Sequence, residues 1–422
     1  MIYFKIGGLI IMNIYFYRRE ILMNKLEGNN VVYIFSNELI RKSADETYPF
    51  QVDKNFFYLT GLQEDSMILE ISKFNGVITS KIFTLPHDET MAKWIGSRMS
   101  FEKIKEISEV DLVLDKATFE SHLGAFYNNN RCENYKVCLD MWQYDINKNI
   151  TPTTKLAKLL IDTYFILPYD IYNELTSMRL VKDEHELTEM LKAIDITKSG
   201  IYNIMDHAKA NVNEMELEGA FMFSLMKNGC KKTAFSTILA GGKNATVLHY
   251  VDNNQVIKDN DLVLCDLGAT YNNYCADITR TIPVNGKFTD RQKEIYNCVL
   301  KGQQLVIDNC VKGKTLRELN DILVAYYTIE LPKLNLNKPV STYYFHGVSH
   351  MLGLDTHDVD LKRGTTLLKK GMVVTVEPGL YIEDESIGIR IEDDILITDY
   401  EPINLSRNII KSVEDIEKYM KK

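Results

Sequence analysis

The chain has 422 residues, 45% of them hydrophobic, with nine prolines and no low-complexity tract, so it is an ordinary globular protein in which two domains are expected. A formal charge of -9 with no clustered basic face excludes a general nucleic-acid footprint; the pairs Lys231, Lys232 and Lys369, Lys370 read as solvated faces. Seven scattered cysteines without paired CxxC spacing exclude a zinc knuckle or a disulfide-framed mini-protein, and Cys265 and Cys275, inside apolar runs, read as buried thiols. A reduced, cytoplasmic setting follows.

The apolar start is interrupted by Asn13, lacks a small-residue cleavage site and is too short to cross a bilayer, so neither a leader nor a membrane segment is expected. Met12 is an alternative initiator. Residues 31–35, VVYIF, read as a buried strand, and the run 56–82 holds two more strands with a turn at Asn75 and Gly76. Helices are expected at 101–107 and 117–127, which makes the N-terminal part a compact α/β domain. The polar stretch NKNITPTTK leads into another helix, and the domain boundary falls near 171–181, dividing the chain into residues 13–175 and 176–416.

Asp183 and Glu186 form a capping pattern, after which Leu187, Met190, Leu191, Ile194, Ile201, Ile204 and Met205 keep the helical period. Strand-like runs follow at 262–267, 276–283, 372–377 and 387–398, with helices at 290–310 and 315–331. Hairpins without regular βαβ alternation predict an α+β second half.

The segment DLVLCDLGATYNNYCADITRTIPV carries Asp266 and Asp277 in strands flanking a turn. A pivot at Tyr271 and Asn272 pairs position 266 with 277, and directly opposed residues have Cβ atoms about 4.5–5.5 Å apart. Two acids that close raise each other's pKa unless a cation lies between them, and paired catalytic metals sit about 3.5–4 Å apart. The alternative is that one or both aspartates are strand-end or Asx-turn residues, with Asn272 and Asn273 supplying the positive φ of a tight hairpin.

Further ligands are needed to choose between these readings, and they are present downstream. FHGVSHMLGLDTHD offers His346, His350 and His357, VVTVEPGLYI offers Glu377, and IGIRIEDDILIT offers Glu392. Alternation places Arg390 and Glu392 on one strand face and Ile389 and Ile391 on the other. Any one of His249, His346, His350 and His357 is as readily a core or surface residue as a ligand, but half of the eight histidines gather in these segments. Four carboxylates with imidazole among these candidates would make an oxygen-rich donor set suited to Mn2+.

The ordered set Asp266, Asp277, His350, Glu377 and Glu392 resembles the ligand pattern of the pita-bread metallopeptidases, which include methionine aminopeptidase, prolidase and aminopeptidase P. HGVSHMLGLDTHD resembles the proline-cleaving branch: His346 and His357 match its flanking histidines, His249 in LHYVDNN its further active-site histidine, and Arg390 the arginine beside the last glutamate. SADETYPFQVDKNFFYLTGL and MAKWIGSRM resemble the N-terminal domain of bacterial aminopeptidase P, and the likeness runs over residues 31–398. Met351 departs from a common tryptophan, Asn273 from a common glycine, and the stretch from Glu377 to Glu392 is short; none is a presumed ligand.

The resemblance implies an α/β N-terminal domain followed by an α+β pita-bread (creatinase/aminopeptidase-like) catalytic domain. It implies two divalent ions, with Asp277 and Glu392 bridging them, Asp266 completing one site, and His350 and Glu377 the other. The implied reaction is hydrolysis of the bond before a proline in the second position by a metal-bridging hydroxide. Glu377 would move the proton, and His249 and His357 would stabilise the oxyanion or hold the peptide. Asp45 and Trp94 would close a neighbouring subunit's site in a homodimer or homotetramer, although surface packing explains them equally well. Prolidase activity on Xaa-Pro dipeptides and a non-catalytic pita-bread binding module are the competing readings.

Overall fold

The computed structural model describes residues 3–6, 9–130, 133–142 and 151–421, with side chains from residue 13 onward. The side chain of the alternative initiator Met12 and residues 147–150 of the polar stretch lie outside the described residues. The chain divides into two compact units, Met1–Met178 and Arg179–Lys422.

The first unit is built on a mixed six-stranded sheet in the order Tyr169–Asp170, Tyr135–Leu139, Asn29–Phe35, Ile68–Phe74, Val77–Thr84, Leu112–Asp115. Its central hairpin turns at Asn75 and Gly76, with φ of 51° and 83°, the pair of positive values that a two-residue turn between twisted strands requires. The run 56–82 begins in a helix, Lys54–Thr60, and then holds its two strands. Helices Ile14–Lys25, Glu89–Ile95, Phe101–Ser108, Phe119–Asn129 and Pro152–Tyr164 also belong to the unit, and Phe119, Leu123 and Leu160 bury against Val31, Tyr33, Ile68 and Phe83.

The second unit opens with helix Glu184–His207, held at its start by a capping box in which Asp183 and Glu186 each satisfy a backbone N–H of the other. Its apolar face packs on helix Glu214–Lys227, and Gly200 allows the close approach: a Cβ there would stand 2.3 Å from the Phe221 ring. Antiparallel sheets follow. Ile238–Gly241, Leu262–Leu267 and Ile278–Pro283 form one, Val373–Val376, Asp393–Leu396 and Ile403–Asn404 another, and Gly379–Ile382 pairs with Ile387–Arg390. Helices Asp290–Asp308 and Leu316–Glu330 cover them, each opened by a capping box.

Two expectations need correction. Asp266 is opposed by Thr279, not by Asp277. The hairpin pivots one residue later than expected, at Asn272 and Asn273, whose φ values are 45° and 66°; asparagine tolerates this backbone and Tyr271 does not. Moving the pivot by one residue moves the pairing by two, so Asp277 falls just before the strand Ile278–Pro283. The run 387–398 is also not one strand. It leaves the sheet of Ile387–Arg390 and enters that of Asp393–Leu396, and at the switch the Glu392 N–H donates to the Thr279 carbonyl across 3.0 Å.

The six described cysteines, Cys265 and Cys275 among them, are buried. Among the described residues, no helix is long and apolar enough to cross a membrane.

Candidate functional site

The strand switch at Glu392 and the hairpin ending at Asp277 deliver carboxylates to a common cleft, and the loop after Tyr344 brings His350 to them. Asp277, His350 and Glu392 each offer one ligand atom, and these atoms lie within 4.8 Å of one another. His350 Nε2 is 3.4 Å from Asp277 Oδ2 and 3.4 Å from Glu377 Oε1. The cleft opens into a cavity of about 800 Å3 whose lining includes Asp266, His249, His346, His357 and Arg390, with Phe235, Ile238, Leu248 and Val251 as an apolar wall. All of its lining residues belong to the second unit.

The expected site residues thus meet, with two qualifications. Asp266 is not part of the tightest group of three; its Oδ2 accepts from Arg390 Nη2 at 2.5 Å. Asp45 and Trp94 belong to the first unit, where both are exposed, Trp94 by 82%.

The electrostatics of the cleft call for positive charge. Burial, and then the charges of Asp266, Asp394 and Glu377, raise Asp277 well above the ordinary carboxylate range. Burial, followed by Asp277 and Glu377, does the same to Glu392, and burial raises Glu377 against the opposing pull of His350. Asp266 Oδ1 and Glu392 Oε1 are buried without a hydrogen-bond partner, a state that natural structures rarely leave unexplained. His350 Nδ1 donates to the Met351 carbonyl at 3.0 Å, which leaves Nε2 facing the acids, as in a metal-ligating histidine. This donor set fits a divalent cation, which would return the raised acids to their ionised form.

Around the acids runs a polar chain that the sequence reading missed in part. Arg390 Nη1 donates to the Tyr381 hydroxyl at 2.9 Å, and that hydroxyl is 2.9 Å from His346 Nε2. His346 Nδ1 donates to the Gly347 carbonyl, so the tyrosine O–H donates to Nε2. Burial and the nearby Arg390 charge bring His346 down to about 4, and burial with His350 brings His357 to about 4; both rings are neutral near pH 7. Thr279 Oγ1 donates to Glu392 Oε2 at 2.7 Å and accepts from Arg390 Nε at 3.3 Å.

Tyr381 and Asp394 were not singled out from the sequence. Asp394 is fully buried, its Oδ2 accepting from the Asp277 N–H at 3.3 Å. Alternation was the available signal for each: Tyr381 stands two and four residues beyond Gly379 and Glu377, and Asp394 continues the series of Arg390 and Glu392.

Residues 188–399 match the profile of metallopeptidase family M24, and residues 15–135 match the aminopeptidase P N-terminal domain. An Xaa-Pro aminopeptidase of Haemophilus influenzae is 33% identical over 426 residues, covering 96% of each chain. A Bacillus anthracis structure assigned as an aminopeptidase P superposes with a TM-score of 0.94 at 40% identity, over 97% of this chain and 98% of the other. Zinc-substituted aminopeptidase P of Escherichia coli in complex with product superposes with a TM-score of 0.89 at 30% identity, over 97% and 98% of the two chains.

Arg390 is the cation that faces Asp266, and both are buried. Arg390→Met should therefore lower the stability of the metal-free protein by about 3–5 kcal/mol, the cost of breaking a buried pair from one side, in urea denaturation at neutral pH. A variant as stable as the parent would show that the pair contributes nothing to holding the acids.

Proposed function

The chain belongs to metallopeptidase family M24, and from that premise we infer that it hydrolyses the bond between an N-terminal residue and a proline in the second position of a peptide. The observation that carries the reading is the convergence of Asp277, His350 and Glu392 in a cavity walled by His249, His346 and His357. Relatives matched along 96% of their length are Xaa-Pro aminopeptidases, so an Xaa-Pro dipeptidase is not favoured. A non-catalytic binding module is not favoured either, because the presumed ligands are all present.

In this reading residues 13–175 form the N-terminal domain and 176–416 the catalytic one. Asp266, Asp277, His350, Glu377 and Glu392 would hold two divalent ions. The hard donor set favours Mn2+. Bound, the ions would supply Lewis acidity toward the scissile carbonyl and lower the pKa of the attacking water.

The chain's own groups do the rest. Glu377, which lines the cavity beside His350, is placed as a carboxylate to accept a proton from the attacking water and pass it on. His249 and His357 face the cavity and hold the substrate carbonyl oxygen. An Xaa-Pro bond has no amide N–H to grip, and its ring nitrogen must gain a proton as it leaves; the proton that Glu377 takes from the attacking water meets that demand. Arg390 and Tyr381 keep His346 neutral and oriented through the contacts described above.

Two further parts of the reading concern the whole protein. Asp45 and Trp94, exposed on the first unit, serve a neighbouring subunit's site in a homodimer or homotetramer. Buried thiols suit a cytoplasmic setting.

With added Mn2+, an Xaa-Pro-Xaa tripeptide should be cleaved much faster than an Xaa-Pro dipeptide in a direct comparison of kcat/KM; the reverse order would assign the protein as a dipeptidase. Asp277→Asn and Glu392→Gln should each abolish turnover and lower the metal content of purified protein, and full turnover by either would sink the ligand assignment. His346→Ala should cut activity about 100-fold or more, the scale of a lost acid–base or orienting group, while keeping the metal bound. Loss of metal in that variant would mean the inner ligand has been misassigned.

A further inference from the structure

His249 reaches the cavity on a segment that no continuous sheet supports. The chain leaves strand Ile238–Gly241, makes the 3-10 turn Gly242–Thr246, carries Leu248, His249 and Val251 to the cavity wall, and returns by Gln255. Before the strand Leu262–Leu267, backbone pairing lies at the segment's far end, where Asn213 bridges Val256 and the Ile257 N–H donates to the Val212 carbonyl, and His249 itself stands outside any ladder. Something other than a ladder must define where His249 sits.

We propose that Glu214 is a positioning residue for His249. It is fully buried on the first turn of helix Glu214–Lys227 and does not line the cavity. Oε1 accepts from the Gly241 N–H at 2.8 Å and Asn244 Nδ2 at 2.9 Å. Oε2 accepts from the Tyr250 hydroxyl at 2.8 Å and the Gln255 N–H at 2.9 Å. One carboxylate therefore ties the two ends of the segment, its 3-10 turn and the residue next to His249.

The choice of residue type follows from the partners. All four are donors, and an ionised carboxylate is the side chain that only accepts. An amide of the same shape would turn its NH2 toward two donors. A glutamate in a first helical turn is ordinarily explained by the helix dipole, but this side chain is spent on the loop. Asn253, with φ of 44°, adds a second tie: it accepts from the Leu239 N–H and donates to the Thr237 carbonyl.

The inference rests on the proposed reaction, in which His249 acts on the peptide, so turnover of an Xaa-Pro-Xaa peptide by the Mn2+-loaded parent is checked first. Glu214→Gln should then lower kcat/KM by about 10- to 100-fold, as lost outer supports of a site do, with metal content unchanged. In an His249→Ala background the same substitution should cost less than about threefold, because groups acting through one another are not additive. Losses that multiply would overturn the proposal, since a merely structural defect adds to any other.

Deuterium exchange gives a readout independent of the reaction assigned. Glu214→Gln should speed uptake across 241–255 while leaving 262–283 and 373–396 as in the parent, and unchanged uptake across 241–255 would equally overturn the proposal. Tyr250→Phe removes one of the four donors and keeps the carboxylate, which guards against a variant that fails to fold. It should show the same pattern with a smaller loss, and additivity with His249→Ala in this variant would also count against the assignment.

Discussion

Acids buried close together cannot all stay ionised without a cation among them, and the second unit is arranged around that constraint. The point is clearest in three consecutive residues. Asp393 touches Arg280 and Lys411 and is held below the ordinary carboxylate range against the opposing effect of its burial. Glu392 and Asp394, on the other side of the chain, are pushed well above it by burial. Chemistry of one kind is thus made structural on one face and metal-seeking on the other. The change of sheet at Glu392 is the backbone device that keeps the two faces apart.

The neutral histidines belong to the same scheme. A cluster of acids would pull protons onto any exposed imidazole, yet burial and the Arg390 charge keep His346 in its neutral form. Arg390 acts in two directions, offsetting Asp266 and, through Tyr381, orienting His346. Removing a proline from its amide needs both a polarised carbonyl and a proton for the departing ring nitrogen. In the proposed reading Glu377 carries that proton from the attacking water to the ring nitrogen, and the neutral rings hold the peptide.

Much of this arrangement was legible in the sequence. The metal-seeking residue types occur at strand ends within apolar runs, which made Asp266, Asp277, Glu377 and Glu392 conspicuous, and the histidines of FHGVSHMLGLDTHD could be read beside them. Register was less legible, because the turn could pivot at Tyr271 or one residue later, and only the backbone tolerance of the two asparagines decides it. The opposition of Asp266 and Asp277 was therefore wrong in detail, although the two reach the same cavity. Tyr381 and Glu214 were invisible for another reason. A tyrosine in a strand and a glutamate opening a helix are commonplace, and what sets them apart is a partner distant in sequence.

The central claim is that the buried acids are held in waiting for two divalent ions. The most direct test is calorimetric titration of Mn2+ into chelator-stripped protein, repeated in buffers of different ionisation enthalpy so that ions bound and protons released are both counted. The account predicts two ions per chain and release of protons as the raised carboxyls of Asp277, Glu377 and Glu392 ionise. Saturation at less than one ion per chain, or binding with no proton released at pH 6 to 7, would contradict it.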